Sequence, residues 1–109
     1  MEKSVHVSML LEIYGKLLTD KQRDIIDLYY NDNLSLSEIA EELGITRQGV
    51  HKNLIDAENK LFDYEEKLMV LKRKLEEQEA LEEIIKKIKD KNIKTELQVF
   101  EENFFPGLN

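Results

Sequence analysis

Thr46, Arg47, Gln48, His51, Lys52 and Asn53 concentrate hydrogen-bonding side chains in one short stretch of this chain. In helical register Arg47, Gln48, His51 and Lys52 share a polar flank with Asn53 at its margin, because side chains three and four apart on an α-helix stand side by side. The chemistry they offer is that of nucleic-acid contact. The Arg47 guanidinium can donate a fork to O6 and N7 of guanine, and the Gln48 amide can pair with adenine. Lys52 and the hydroxyls of Thr46 and Ser35 suit phosphate oxygens, and the free N–H groups of a helix starting at Thr46 add weak anion affinity. These six residues, Thr46 to Asn53, are the expected DNA-binding set.

Other chemistries find less support. His6 and His51 are the only histidines and lie far apart, with no carboxylates at ligand spacing around them, so no metal site is expected. The absence of cysteine removes disulfides, thiolate catalysis and cysteine-based zinc sites together, and it fits a reducing cytoplasm. Nothing suggests a Ser-His-Asp triad, a glycine-rich phosphate loop or paired catalytic acids. The sequence therefore predicts a protein that is no enzyme and carries no cofactor. The longest uninterrupted apolar run is Leu68 to Leu71, far short of the ~20 residues that span a bilayer. A cytoplasmic location without membrane contact follows as the expectation.

The elements that must position those six residues are helices. Apolar residues recur at steps of three and four almost throughout, with only four glycines and one proline in 109 residues, which predicts an all-α fold. Leu10, Ile13, Tyr14 and Leu17 form the stripe of a first helix beginning near Val5 or Ser8, in which Gly15 points to close helix packing. Thr19 and Gln22 form a capping box for a second helix carrying Ile25 and Ile26, which Asn31-Asp32-Asn33 ends. Ser35 and Glu38 form another, ahead of Ile39, Ala40 and Leu43. Thr46 then caps a helix with Val50, Leu54, Ala57 and Leu61 on its apolar side.

The span Leu36–Leu54 meets the requirements of a helix-turn-helix. Such a unit needs a small residue where two helices cross, a residue that accepts positive φ in the turn, and apolar anchors for the second helix. Ala40, Gly44, and Ile45 with Val50 supply these in order. The second helix of such a unit enters the major groove with its N-terminal residues at the base edges. The predicted organisation is a helix-turn-helix domain over residues 1–60, without a wing, followed by a long helical extension over residues 61–109.

In that extension Leu61, Leu68 and Leu75 recur every seven residues, with Tyr64 and Leu71 between them, the pattern of a short coiled-coil seam or a bundle face. It motivates a homodimer, with packing inside one chain as the alternative. Leu81, Ile84, Ile85 and Ile88 restart the pattern, and a break is expected near Asp90-Lys91-Asn92. Glu82 with Lys86 and Glu83 with Lys87 read as pairs on a solvated helix face. Lys86, Lys87, Lys89, Lys91 and Lys94 form the most basic window, read as the wet side of an amphipathic helix, with backbone contact to RNA or DNA as the other reading. Phe100, Phe104, Phe105 and Leu108 are expected to pack the C-terminal segment onto the domain, a partner-binding tail being the other reading.

Charge opposes the groove reading. The chain holds 23 acidic and 16 basic residues, a net charge of -7, opposite in sign to what phosphate attraction favours. Any nucleic-acid contact must then be local and salt-sensitive. A protein or ribonucleoprotein adaptor that uses the acidic surface and the long helices is the competing reading.

The stretch Leu17-Leu18-Thr19-Asp20-Lys21-Gln22-Arg23 through Leu28-Tyr29-Tyr30, with Leu34 to Val50 after it, resembles region 4 of bacterial sigma factors. More closely, it is similar to the YlxM family of small helix-turn-helix proteins, which Met9 to Gly15 and Asp63 to Leu68 also fit. The resemblance covers about residues 5 to 72. It implies a regulator encoded beside genes of the signal recognition particle pathway, with a part in protein targeting, and it leaves open whether the ligand is DNA, RNA or a protein, signal recognition particle components among them. Asn53 departs from the pattern, standing three residues after Val50 where an apolar side chain is common; Leu54 is expected to take over that contact.

Overall fold

A computed structural model of the chain describes the backbone of residues 1–104 and the side chains of residues 1–91. Its helices are α1 (Lys3–Tyr14), a single 3-10 turn (Gly15–Leu17), α2 (Asp20–Tyr30), α3 (Leu36–Leu43), α4 (Arg47–Leu68) and α5 (Val70–Phe104). The fold is all-α, and no strand occurs among the described residues, so the helix-turn-helix has no wing there. The chain divides into two compact units, Met1–Arg73 and Lys74–Asn109.

In the first unit α4 is the hub on which α1, α2 and α3 all pack. Leu10 of α1, Ile25 and Ile26 of α2, Ile39 of α3, and Val50 and Leu61 of α4 are fully buried. Each such side chain stabilises the fold by about 1.5–3 kcal/mol through removal of apolar surface from water. These positions follow the three-and-four spacing of the sequence, and Leu54 is buried as expected.

Both capping boxes form. Gln22 N–H donates to Thr19 Oγ1 at 3.1 Å and Thr19 N–H to Gln22 Oε1 at 3.2 Å; Glu38 N–H donates to Ser35 Oγ and Ser35 N–H to Glu38 Oε1, each at 3.1 Å. Hydrogen bonding of the carboxylate by the Ser35 N–H, and after it by the Ser35 side chain, holds the Glu38 carboxyl below the usual carboxylate range. Gly44 closes α3 with φ 67° and ψ 33°, its N–H donating to Ala40 O, and Ile45 N–H donates to the same oxygen at 3.1 Å. A left-handed residue there lets α3 stop and α4 be capped two residues later, at Thr46.

A Cβ at Gly44 would meet no atom within 4 Å, so a substitution is penalised by the backbone alone. Gly44→Ala should lower unfolding free energy by about 1–2 kcal/mol, with Gly44→Asn, which tolerates this conformation better, falling between it and the wild type. Urea titration of the three proteins checks the order; equal midpoints would show that the turn does not depend on positive φ.

Four expectations need correction. α1 begins at Lys3, earlier than Val5, and Leu17 lies in the 3-10 turn, exposed and outside the α1 stripe. The Leu61, Leu68, Leu75 seam is not one surface: within α4 Leu61 is 0% exposed in the core while Leu68 is 48% exposed, and the helix then breaks at Met69, before Leu75. The break expected at Asp90-Lys91-Asn92 is absent and α5 runs through it; without Gly or Pro those residues cost the helix only a few tenths of a kcal/mol each. The expected packing of Phe100, Phe104, Phe105 and Leu108 lies outside the described side chains, as does Lys94 of the basic window.

The break at Met69 has no glycine or proline behind it. Met69 takes φ 53° and ψ 29°, a left-handed conformation that costs a side-chain-bearing residue about 1–2 kcal/mol. Tertiary hydrogen bonds offset it. Glu65 reaches across the break to cap α5, Oε1 accepting Leu71 N–H at 3.0 Å and Oε2 accepting Lys72 N–H at 2.9 Å. The buried Tyr14 hydroxyl accepts Val70 N–H at 3.3 Å and donates to Glu65 Oε1 at 2.8 Å. From the other side Arg73 Nη2 donates to Leu68 O at 2.9 Å, satisfying a carbonyl freed by the end of α4.

Candidate nucleic-acid interface

The helix-turn-helix consists of α3, the Gly44 turn and the first turns of α4. Thr46 is the N-cap of α4, its Oγ1 accepting Gly49 N–H at 3.0 Å. The hydroxyl proton remains available to an outside acceptor. Arg47, Gln48, His51 and Lys52 follow on the outer flank, all exposed and none hydrogen-bonded or ion-paired to another described residue. Free donors on the first two turns of a supported helix are what base-edge reading requires.

Asn53 stands apart from the other five. It is half-buried, and its Nδ2 donates to Gly49 O at 2.8 Å, so the amide lies along its own helix. The sequence placed it at the margin; the local hydrogen bond turns it inward, as short amides tend to do beside a free carbonyl. Ile55, which the sequence reading passed over, occupies the outer flank instead. It is exposed, four residues beyond His51, and offers an apolar surface of the kind that meets a thymine methyl. The signal was available: Ile55 falls off the Val50, Leu54, Ala57, Leu61 stripe by helical spacing alone.

Polar clamps as well as apolar packing set the rotation of α4. The Tyr30 hydroxyl of α2 donates to Glu58 Oε1, and Lys3 Nζ of α1 pairs with Glu58 Oε2 at 3.3 Å. Glu58 is buried, and a buried carboxylate needs such partners to offset desolvation. Burial, and after it the hydrogen bond to Glu58, push the Tyr30 phenol well above its ordinary range, so it remains a donor at any pH the protein meets. Two residues on, Lys60 Nζ donates to Gln22 Oε1 at 3.1 Å, the oxygen that also closes the capping box of α2. Tyr14 and Glu65 form the third clamp. Composition could not have identified these pairs, since Glu58, Lys60 and Glu65 look like ordinary charges of a solvated face.

Charge around the flank is mixed. Arg47 and Lys52 are its fixed cations, while Glu41 and Glu42 of α3 and Asp56 of α4 are exposed nearby in sequence. Long-range attraction of phosphate is therefore weak, and recognition depends on short-range contacts. No helix among the described residues is long and apolar enough to cross a membrane.

Comparison with known proteins agrees with this geometry. Residues 1–103 match the model of the UPF0122 family, described as "Putative helix-turn-helix protein, YlxM / p13 like". The chain is similar to the UPF0122 protein YofM of Lactococcus lactis subsp. lactis (strain IL1403), with 44% identity over 99 residues, 90% of this chain and 89% of the relative. It is also similar to a UPF0122 protein of Clostridium botulinum (strain Alaska E43 / Type E3), 38% identical over 91 residues and 84% of each chain. A UPF0122 protein of Streptococcus gordonii is 46% identical over 87 residues, 80% of this chain and 79% of the relative.

Proposed function

The chain belongs to the UPF0122 family of helix-turn-helix proteins, and from that premise we propose that it is a cytoplasmic, homodimeric DNA-binding regulator acting in the signal recognition particle pathway. The observation that carries the DNA-binding part is the unpartnered outer flank of α4. Arg47, Gln48, His51 and Lys52 face outward on a helix whose rotation is held by Glu58, Lys60 and Glu65. Arg47 and Gln48 read base edges, Lys52 and the Thr46 hydroxyl hold the backbone, and Ile55 supports apolar contact with a methyl group. The part in protein targeting rests on the family resemblance of the sequence.

This flank has only two fixed cations, of which Lys52 meets phosphate and Arg47 a base edge, and each phosphate contact contributes about -0.9 to the slope of log affinity against log salt. Fluorescence anisotropy with duplexes selected from genomic fragments should therefore give a slope between about -1 and -2. A slope steeper than about -5 would require many phosphate contacts and would remove this flank as the site.

A second reading is favoured by the net charge of -7 and by Glu41 and Glu42 beside the turn. On it the protein is an adaptor that engages signal recognition particle components through its acidic surface. Pull-down with those components separates the two. Retention that survives Arg47→Ala with Lys52→Ala, together with no DNA binding by the wild type, selects the adaptor.

A further inference from the structure

In the second unit, α5 carries an apolar stripe at Leu81, Ile84, Ile85 and Ile88, positions i, i+3, i+4 and i+7 of one helix face. Their exposures are 57%, 55%, 42% and 43%. Four large apolar side chains in continuous register on a polar helix are the pattern of a helix-pairing surface. Charges flank it unevenly along the helix. Glu77 precedes and Lys91 follows on one side of the stripe, and Glu82 precedes and Lys89 follows on the other. None of these four is ion-paired to another described residue.

We propose that this stripe pairs with the same stripe of a second copy of the chain, antiparallel and centred between Ile84 and Ile85. In that register Leu81 lies opposite Ile88 of the second copy, and the central isoleucines meet each other across the axis. The flanks of antiparallel helices meet like side to like side, so Glu77 faces Lys91 of the second copy and Glu82 faces Lys89. A parallel pairing brings Glu77 against Glu82 of the second copy, two like charges on each side of the seam. The order of charges therefore selects both the occupant, a sequence with acid first and base after, and its direction. The antiparallel helix dipoles add a smaller favourable contribution.

The inference deepens the dimeric part of the proposed function and is independent of the DNA-binding part. It also moves the interface away from the Leu61, Leu68, Leu75 seam, whose first member is in the core.

Sedimentation equilibrium of the full chain at tens of micromolar tests it. The wild type should form a dimer, and Ile85→Glu should raise the dimer dissociation constant on the order of tenfold or more. Circular dichroism should be unchanged, since Ile85 is exposed. Lys89→Glu with Lys91→Glu should weaken the dimer, and adding Glu77→Lys with Glu82→Lys should restore it. Because the chain has no cysteine, direction can be read by oxidation: a mixture of Leu81→Cys and Ile88→Cys chains should cross-link readily, and either alone poorly. Cross-linking of Leu81→Cys alone as fast as the mixture would overturn the antiparallel pairing, even if Ile85→Glu disturbed folding. A wild-type dimer indifferent to Ile85→Glu would place the interface elsewhere, overturning the inference while sparing the dimer. A monomeric wild type would overturn both, and neither result bears on the salt titration with DNA.

Discussion

Arg47→Ala combined with Lys52→Ala should reduce DNA affinity on the order of a hundredfold at low salt and leave the protein folded. The Arg47 guanidinium can make a bidentate, charge-assisted contact with guanine, and losing such a contact costs about 1–3 kcal/mol. Lys52 supplies a phosphate contact whose loss weakens binding to all sequences alike and shifts the salt slope by about 1. Neither side chain bonds to another described residue, and both are exposed, so thermal stability should change by no more than ~0.5 kcal/mol. Separating the substitutions sharpens the test. Arg47→Ala should reduce the difference between preferred and random duplex, whereas Lys52→Ala should lower both affinities together. Anisotropy on the two duplexes, with melting temperature as control, measures this. Unchanged affinity in the double variant would remove the outer flank of α4 from the interface.

Glu65→Ala should destabilise the first unit by about 1–3 kcal/mol, because it strands several polar groups at once. The N–H groups of Leu71 and Lys72 lose their cap, and the buried Tyr14 hydroxyl loses its acceptor. Lys72 is exposed and water can replace its bond, while Leu71 and Tyr14 are buried and have no such substitute. The effect should depend on pH. Desolvation pushes the Glu65 carboxyl up, but the bonds from Tyr14, Leu71 and Lys72, with the charge of His6, outweigh it and hold the folded-state value below the usual carboxylate range. A group depressed on folding contributes stability above its unfolded value and loses it as pH falls through the folded one. Wild type and Glu65→Ala should thus differ most above about pH 5 and converge on acidification. Burial, followed by the bond to Glu65, raises the Tyr14 phenol, so Tyr14 remains a protonated donor throughout this range. Urea midpoints across pH for both proteins decide the matter; a gap that persists unchanged into acid would mean that Glu65 contributes by packing rather than as a carboxylate.

Local sequence already contained the helix-turn-helix. Ser35, Glu38, Gly44 and Thr46 act within three or four residues of themselves, and the bonds they were expected to make are those the structure contains. Ile39, Ala40, Val50 and Leu54 follow from periodicity and lie in the core. Reading failed where a local pattern continued and something distant ended it. The spacing of Leu61, Leu68 and Leu75 gives no hint of a stop, yet Tyr14, more than fifty residues away in sequence, holds the left-handed break at Met69. Asn53 is a case of a different kind. Its bond to Gly49 O is local, but helix spacing alone did not say whether the amide would point along the helix or away from it.

What this chain's sequence settled by itself is the helices as far as the start of α4, the caps at Thr19, Ser35 and Thr46 and the Gly44 turn, since capping, backbone sterics and hydrophobic spacing operate over a few residues and need no knowledge of the rest. What only tertiary structure decided is how α4 is oriented and where it ends. Glu58, Lys60 and Glu65 are indistinguishable from solvated charges until Tyr30, Gln22 and Tyr14 are brought against them, because a charged side chain takes on a structural role only when a distant partner and a low dielectric reach it together.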